Sequence, residues 1–259
     1  MSDQQTPWRG FWQVLAPDAQ EDIRPCRNTT TNLRSRAGFV LYTQTYFIEL
    51  RVLSQMQLPA GWPPTDAELA AMFGSFYGIA GRSHWQPADG GWLGQHRIEM
   101  AANPALLGQD FGRMLHISAD SATIDSDDRQ ETWRRLSAAG GTPLCGAWQT
   151  ENLLGNWLYL ACEGHYAVMR SEASRPAPQG DWAKLTAEQL LPLAESFGAN
   201  AGARLETAGS FDHWPMIGQV AGYDVRKHET FKLEEVQAGR FEASLPPLDF
   251  PPDQWTRLE

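Results

Sequence analysis

The sequence predicts an all-β protein made of two copies of one small barrel or sandwich, with one short helix in each copy. Three observations lead to this prediction. Landmarks recur in the same order along the two halves of the chain, short β-branched and aromatic segments alternate with turn residues, and each half contains one helix-start signal. Short strands around a single helix are typical of small barrels and sandwiches.

The internal duplication is the strongest of these signals. Arg170 follows Arg51 by 119 positions, and Trp255 follows Trp133 by 122 positions. A nearly constant spacing in unbroken order indicates a repeated unit. The paired landmarks are Gly10-Phe11-Trp12 with Gly146-Ala147-Trp148, Arg51 with Arg170, Thr65 with Thr186, Gly81-Arg82 with Gly202-Ala203-Arg204, Asn103-Pro104 with Trp214-Pro215, and Trp133 with Trp255.

The boundary between the repeats falls in residues 138–143. Gly140, Gly141 and Pro143 in this segment break helices and strands alike. At 259 residues the chain has room for two domains of ordinary size. We therefore expect one unit over residues 1–138 and a second over residues 143–259.

Each repeat contains a strand pair followed by a helix. Residues 39–42 and 46–52 are rich in β-branched and aromatic side chains, with a turn at 43–45. Side chains alternate across a strand, so the second strand has one face of Tyr46, Ile48, Leu50 and Val52 and another of Phe47, Glu49 and Arg51. Thr65 with Glu68, and Thr186 with Gln189, form capping boxes that start the helices. Pro192 is expected to bend or shorten the second helix.

Composition and charge exclude several classes of function. The chain has 21 basic and 31 acidic residues and a net charge of −10, so nucleic acid and anionic membranes are poor partners. The start lacks a secretory signal, and no stretch is long enough to cross a bilayer. The three cysteines Cys26, Cys145 and Cys162 lack metal-ligand spacing and suit a reducing compartment. We expect a cytoplasmic protein.

The sequence also lacks the common cofactor and catalytic motifs. It contains no phosphate-binding P-loop, no His-Glu-x-x-His, no Cys-x-x-Cys and no Gly-x-Ser-x-Gly. We therefore expect no cofactor and no metal site. Candidate chemistry is left to His, Arg, Tyr and acidic residues scattered over the predicted strands.

Several of these motifs resemble those of a known family. Gly-x-Trp near the start of each repeat and an Arg near its end are similar to those of lipocalin-like proteins of the calycin superfamily, in particular the bacterial and fungal lipocalin-like domain. The resemblance pairs Trp12 with Arg135 and Trp148 with Arg257. It covers most of repeat one, including 96–100 and Arg113, but repeat two departs from it in its middle. The resemblance implies two tandem antiparallel β-barrels, each with a cavity for a small molecule.

The candidate site residues are titratable or aromatic side chains on predicted strands. His96 is a candidate general acid or base, or alternatively a histidine at the barrel rim that bonds to the backbone. The arginines are candidate ligands for a substrate carboxylate, or alternatively partners in ion pairs between strands. The predicted catalytic residues are His96, Tyr46, Glu99 and His165, and the predicted ligand-binding residues are Arg51, Arg82, Arg97, Trp85, Trp92, Arg113, Arg170 and His213.

Two functions remain open at this point. The first is a cofactor-independent enzyme (an isomerase, cyclase, lyase or hydratase) that moves a proton on a small, largely apolar molecule inside a barrel. The second is a non-catalytic binding or carrier protein for a small hydrophobic or aromatic ligand. A further possibility is that one barrel is filled and supports the other, with repeat two as the candidate. The sequence leaves the oligomeric state open.

Overall fold

The computed structural model contains two closed antiparallel barrels of eight strands each, in tandem along the chain. The prediction of an all-β fold with two barrels is confirmed. The structure describes residues 6–15, 38–53, 63–126, 129–172, 185–220, 227–237, 239–244 and 253–259. Cys26 lies outside the described residues.

Barrel 1 is formed by the strands of the first repeat, each paired with its neighbour in sequence, and β8 closes the sheet against β1. One helix, α1, lies between β3 and β4. The elements are β1 Gly10–Leu15, β2 Gly38–Tyr42, β3 Tyr46–Val52, α1 Asp66–Ser75, β4 Phe76–Ala88, β5 Gly91–Ala101, β6 Asp110–Ser118, β7 Ser121–Ser126 and β8 Arg129–Ala138.

Barrel 2 has the same order of elements, and β16 closes it against β9. The helix α2 continues past Pro192 and has nine residues against ten in α1. Neither helix is long and apolar enough to cross a membrane. The elements are β9 Gly146–Asn152, β10 Gly155–Cys162, β11 His165–Ser171, α2 Ala187–Glu195, β12 Phe197–Thr207, β13 Ser210–Val220, β14 Glu229–Gln237, β15 Arg240–Ser244 and β16 Asp253–Arg257.

Barrel 1 is closed at one end by the predicted pair of Trp12 and Arg135. The Arg135 guanidinium lies 4.5 Å from the centre of the Trp12 ring, and it also donates a hydrogen bond to the Pro7 carbonyl. The Trp12 indole N–H donates to the Trp8 carbonyl at 2.8 Å. A cation over an indole face is a favourable contact. Together with the two hydrogen bonds, this contact links β1, β8 and the segment before β1.

Barrel 2 repeats this closure. The Arg257 guanidinium lies 5.0 Å from the Trp148 ring centre and donates to the Cys145 carbonyl at 2.7 Å. The Trp148 indole N–H donates to the Leu144 carbonyl at 2.8 Å. The same three contacts in both barrels confirm the predicted Trp–Arg pairs.

The two barrels pack against each other through equivalent outer faces. One continuous cluster of buried apolar side chains from both barrels forms this interface. Phe76 approaches Phe197 at 6.5 Å between ring centres, and α1 packs on α2 through Leu69 and Leu190. Contacts between equivalent positions indicate a local two-fold relation. The matched interface positions are Leu41 with Leu160, Ile48 with Ala167, Leu50 with Met169, Phe76 with Phe197, and Ala80 with Ala201.

The end of each last strand contacts the β-hairpin of the other barrel. Ser137, in β8, bonds through its hydroxyl to the Cys162 thiol and to His165 Nδ1, both at 3.0 Å. The Glu259 carboxylate, just after β16, accepts from the Gln44 and Thr45 backbone N–H groups at 3.0 and 2.8 Å. These reciprocal contacts add polar links at both sides of the apolar interface.

Strand register corrects two of the paired landmarks. Gly81 and Gly202 occupy equivalent bulges, where an added Cβ would lie 2.1 Å from a backbone oxygen of the next strand. Counting from these glycines, Arg82 corresponds to Ala203, and Arg204 corresponds to Ser83. The two arginines therefore point to opposite faces of the sheet, which is why Arg82 is exposed and Arg204 is buried.

The pairing of Asn103-Pro104 with Trp214-Pro215 is wrong. Pro104 begins a 3₁₀ turn after β5, whereas Trp214 and Pro215 lie within β13 and pair with β12. By register, Trp214 corresponds to Arg97. The two segments have a similar spacing of Pro and Gly, which suggested the match, but their residues occupy different positions in the barrel.

We expect the Trp–Arg closures to be a main stabilising feature of each barrel. Replacing Arg135 by Met, or Arg257 by Met, should lower the free energy of unfolding by about 2 kcal/mol, because the cation–π contact and a hydrogen bond to a carbonyl are lost together. The control is Arg97→Met on the exposed face of β5, which should change stability by about 0.5 kcal/mol or less. Urea unfolding measures all three. Equal losses for Arg135→Met and Arg97→Met would contradict the closure role.

Candidate functional site

The interior of barrel 1 contains charged side chains among aromatic rings. Because β3 alternates, Phe47, Glu49 and Arg51 point into the barrel while Tyr46 points to the interface. Glu49 is fully buried, and Arg113 reaches it from β6. Ionised groups are rarely this deep unless they are paired, so their partners decide whether the arrangement is stable.

The Glu49 carboxylate lies between two guanidinium groups. Arg113 Nη2 donates to it at 2.5 Å, and Arg51 Nε donates to its other oxygen. Arg51 also forms a two-pronged pair with Glu131, at 2.6 and 2.7 Å. Burial alone acts to raise the pKa of Glu49, but the two arginines outweigh burial and hold that pKa at about 2. Glu49 is therefore ionised at neutral pH, and the two carboxylates and two guanidinium groups balance in formal charge.

A hydrogen-bonded tyrosine–histidine pair adjoins this network. The Tyr42 hydroxyl lies 3.0 Å from His96 Nε2, and Arg113 Nη1 donates to the same hydroxyl at 3.3 Å. The Tyr42 oxygen thus accepts from Arg113 and shares a second hydrogen bond with His96, whose direction follows from the imidazole tautomer.

Burial keeps both members of this pair uncharged. It lowers the pKa of His96 to about 3, with the Arg113 charge acting in the same direction. It raises the pKa of Tyr42 to about 12, against the opposing effect of Arg113. At neutral pH the pair is therefore a neutral imidazole and a neutral phenol.

Aromatic rings surround His96 on several sides. Phe111 stacks on it with ring centres 4.6 Å apart, and Trp85 meets it edge-on at 5.3 Å. Trp8 in turn stacks on Trp85 at 5.6 Å and contacts Trp92 at 4.6 Å. The predicted residues His96, Trp85, Trp92, Arg51 and Arg113 are thus brought together in or at the end of barrel 1.

Three other predicted residues lie outside both barrels. Arg82 pairs with Glu99 at 3.1 Å, and its guanidinium lies 5.6 Å from the Tyr46 ring centre. All three line a groove of about 670 Å³ between the barrels, so Tyr46 and Glu99 are not next to His96. Arg97 is also outside, exposed and paired with Asp110 at 3.1 Å.

The predicted residues of repeat two are dispersed. His165 is at the barrel interface, stacked on Phe11 with ring centres 4.6 Å apart. Arg170 donates to the Leu154 and Glu195 carbonyls at 3.1 and 2.6 Å, and so links the β9–β10 turn to the end of α2. His213 lies inside barrel 2. These three side chains do not form one site.

Among its described residues, barrel 2 has no counterpart of the Glu49–Arg113 ion pair of barrel 1. His213 bonds to the Tyr159 hydroxyl at 3.2 Å and stacks on Tyr166 at 3.5 Å. By strand register, Val168 occupies the position of Glu49, and Phe231 occupies that of Arg113. Besides Arg170, the described part of this barrel contains the buried Arg204, which donates to the Thr142 hydroxyl at 2.9 Å and pairs with the Glu206 carboxylate at 3.3 Å.

The sequence did not point to several residues of the barrel 1 site, which include Trp8, Tyr42, Glu49, Phe111 and Glu131. Glu49 could have been identified from the sequence, because it lies on the same predicted face of its strand as Phe47 and Arg51. Tyr42 meets His96 only through the closure of the barrel, 54 positions away along the chain. Nothing local to the sequence brings those two side chains together.

Comparisons with known proteins add little to this geometry. No family model matches the chain, and no curated protein matches it. The crystal structure of an uncharacterized protein from Saccharomyces cerevisiae is similar over 96% of this chain and 97% of that chain, with a TM-score of 0.49 and 11% sequence identity. Function is therefore argued from the residues of this chain.

Buried neutral histidines predict a loss of stability in mild acid. The folded pKa values of His96 and His165 are lowered to about 3 and 4 by burial, and that of His213 is lowered as well. Below an ordinary pKa of about 6.5 the unfolded chain takes up protons that the folded chain excludes, so stability falls as pH falls. Between pH 7.5 and 5, the His96 and His165 imidazoles should each cost about 2 kcal/mol of unfolding free energy, and His213 should act in the same direction.

Urea unfolding at pH 7.5 and 5 measures this effect. Over this interval the free energy of unfolding of the His96→Gln variant should fall by about 2 kcal/mol less than that of the parent protein, because the variant lacks the imidazole that takes up a proton on unfolding. His84→Gln, on the exposed face of β4, is the control and should keep the parental pH dependence. An unchanged pH dependence in His96→Gln would show that the imidazole is not held neutral.

Proposed function

We propose that barrel 1 binds a small, largely apolar molecule that carries one neutral hydrogen-bonding oxygen. The observation that carries this proposal is the difference between the two barrel interiors. Barrel 1 has Glu49 and Arg113 where barrel 2 has Val168 and Phe231. The second barrel closes without these charges, so the fold does not require them.

Buried ion pairs are poor stabilising devices. Their desolvation often cancels their attraction, and apolar residues of similar volume often serve as well or better. Barrel 2 is a natural example of that replacement within the same chain. Barrel 1 keeps ionised groups that the fold does not need. This supports a binding role, since side chains with shifted pKa values cluster at functional sites.

The residues of the site favour one class of ligand. Trp92 and Phe111 are partly exposed rings that, together with Trp85, offer flat apolar surface to a ligand body. The surrounding charges already balance, so a ligand carboxylate would compete with Glu49 for Arg113. A carbonyl or hydroxyl oxygen avoids that competition and can pair with the Tyr42–His96 couple. The proposed ligand is thus an apolar or aromatic ketone, aldehyde or alcohol.

Binding is preferred over catalysis because of the protonation states. Proton transfer is most efficient when a group titrates near the working pH. His96 and Glu49 have pKa values of about 3 and 2, and Tyr42 has one of about 12. In this state the site offers fixed donors and acceptors, which suits a binding or carrier protein.

A proton-transfer enzyme is the second candidate. It is favoured by one contact, the donation from Arg113 to the Tyr42 hydroxyl, which polarises that phenol as a proton donor. Incubation with a bound ligand, followed by measurement of its mass and stereochemistry, distinguishes the two functions. An altered ligand supports the enzyme, and an unaltered one supports the carrier.

The lipocalin-like assignment is part of the same proposal. It is supported by the order of eight strands in each barrel and by the two Trp–Arg closures. Cys145 and Cys162 are buried free thiols, which fits the reducing cytoplasm proposed for the chain.

The double variant Glu49→Val/Arg113→Phe, which copies barrel 2, tests the proposal. It should fold, because both charges leave together, whereas Arg113→Phe alone should cost about 3 kcal/mol by leaving Glu49 short of a partner. Binding of the neutral naphthalene ketone Prodan, followed by its fluorescence, should weaken at least about tenfold in the double variant.

A matched control uses the same substitutions on an exposed pair. Asp110→Val/Arg97→Phe removes one ion pair from the outer face of barrel 1 and should keep parental Prodan affinity. Equal affinity in the parent and the Glu49→Val/Arg113→Phe variant would overturn the binding site, as would an equal loss in both double variants.

A further inference from the structure

We propose that the groove between the barrels is a second binding site, for a short neutral oligosaccharide. The groove has a volume of about 670 Å³, within the range of about 300 to 1,000 Å³ usual for ligand sites. It is walled by Tyr46, Arg82, Glu99 and Met100 of barrel 1, and its floor is the outer face of β9, β10 and β16. Clefts between two units are common places for ligands.

The floor of the groove is a set of polar side chains on adjacent strands. Asn156 pairs in register with Glu151, and Thr256 pairs with Gln149, so these groups stand side by side across three strands. Gln254 extends the set along β16. Side chains on one sheet face are spaced by the strand separation of about 5 Å, so they meet a ligand at several points at once.

The floor amides are free to bind a ligand. The side chains of Gln149, Asn156 and Gln254 are exposed and make no hydrogen bond to the rest of the described chain. Each carries both a donor and an acceptor. A sugar hydroxyl is also both donor and acceptor, so amides and hydroxyls match one another without any net charge.

Asn152, in contrast, is hydrogen-bonded to its neighbours and stabilises the edge of the groove. Its oxygen accepts from the Trp157 indole N–H at 3.0 Å and from the Leu154 backbone at 2.9 Å, and its amide donates to Asp253 at 3.0 Å. The Trp157 ring packs against the interior cluster of barrel 2, with the Arg170 guanidinium 5.8 Å from its ring centre, so these contacts fix the edge of the groove.

The charges of the groove argue against an anionic ligand. Arg82 is neutralised by Glu99, and Glu151 and Asp253 add two further carboxylates. A phosphate or carboxylate ligand would meet net negative charge. Carboxylates accept hydrogen bonds from sugar hydroxyls, so the same groups favour a neutral polyol.

Isothermal titration calorimetry of the full chain tests this site. The probes are maltotriose, cellotriose and N,N′,N″-triacetylchitotriose, with spermidine as a cationic comparison. At least one trisaccharide should bind with a dissociation constant of about 1 mM or tighter. Gln254→Ala and Asn156→Ala should each weaken that binding about fivefold, because each removes hydrogen bonds to hydroxyls.

Gln95→Ala is the matched control, since Gln95 is an exposed glutamine on β5 away from the groove. It should leave trisaccharide affinity unchanged. The proposal is overturned if no trisaccharide binds, if spermidine alone binds, or if Gln95→Ala weakens binding as much as Gln254→Ala.

This site stands apart from the one proposed in barrel 1. Gln254→Ala should leave Prodan affinity unchanged, and Glu49→Val/Arg113→Phe should leave trisaccharide affinity unchanged. Each proposal can therefore be disproved without affecting the other.

Discussion

An eight-stranded barrel encloses an interior that its side chains can fill or that can hold one small ligand, and this limit governs the molecule. Every inward position must hold an apolar group, a fully paired polar group or part of a ligand site. Barrel 2 meets the limit mainly with stacked rings around His213. Barrel 1 meets it with rings plus a balanced set of four charges. The functional proposal follows from this difference between two copies of one fold.

Strands such as β3 are buried on both sides because the outer faces of the two barrels pack against each other. The two barrels cover each other with equivalent apolar positions, so β3 has Ile48 and Leu50 in the interface and Phe47 in the barrel. The interface places the groove where polar floor residues of barrel 2 face Arg82. Duplication thus supplied two barrel interiors and, between them, a cleft that neither barrel has alone.

The sequence was sufficient for the fold but not for the composition of the site. Ordered landmarks and alternating strands predicted two copies of a small barrel or sandwich, and the resemblance to lipocalin-like proteins implied closed barrels and both Trp–Arg closures. Tyr46 was predicted to be catalytic, as was His96, but it lies on the outer face of β3. Both faces of β3 are apolar enough to be buried, and alternation does not say which face is inside. The Tyr42–His96 contact depends on barrel closure across 54 positions. Arg82 and Arg204 were equated because a one-residue shift, which reverses side-chain direction, is invisible without register.

The central claim is that barrel 1, and not barrel 2, is the ligand chamber. Histidine side-chain nitrogen NMR during a Prodan titration tests it most directly, because each barrel has one buried histidine bonded to a tyrosine. The account predicts that the ring nitrogens of His96 shift on saturation while those of His213 do not. Shifts at His213 alone, or at neither histidine while Prodan binds, would contradict it.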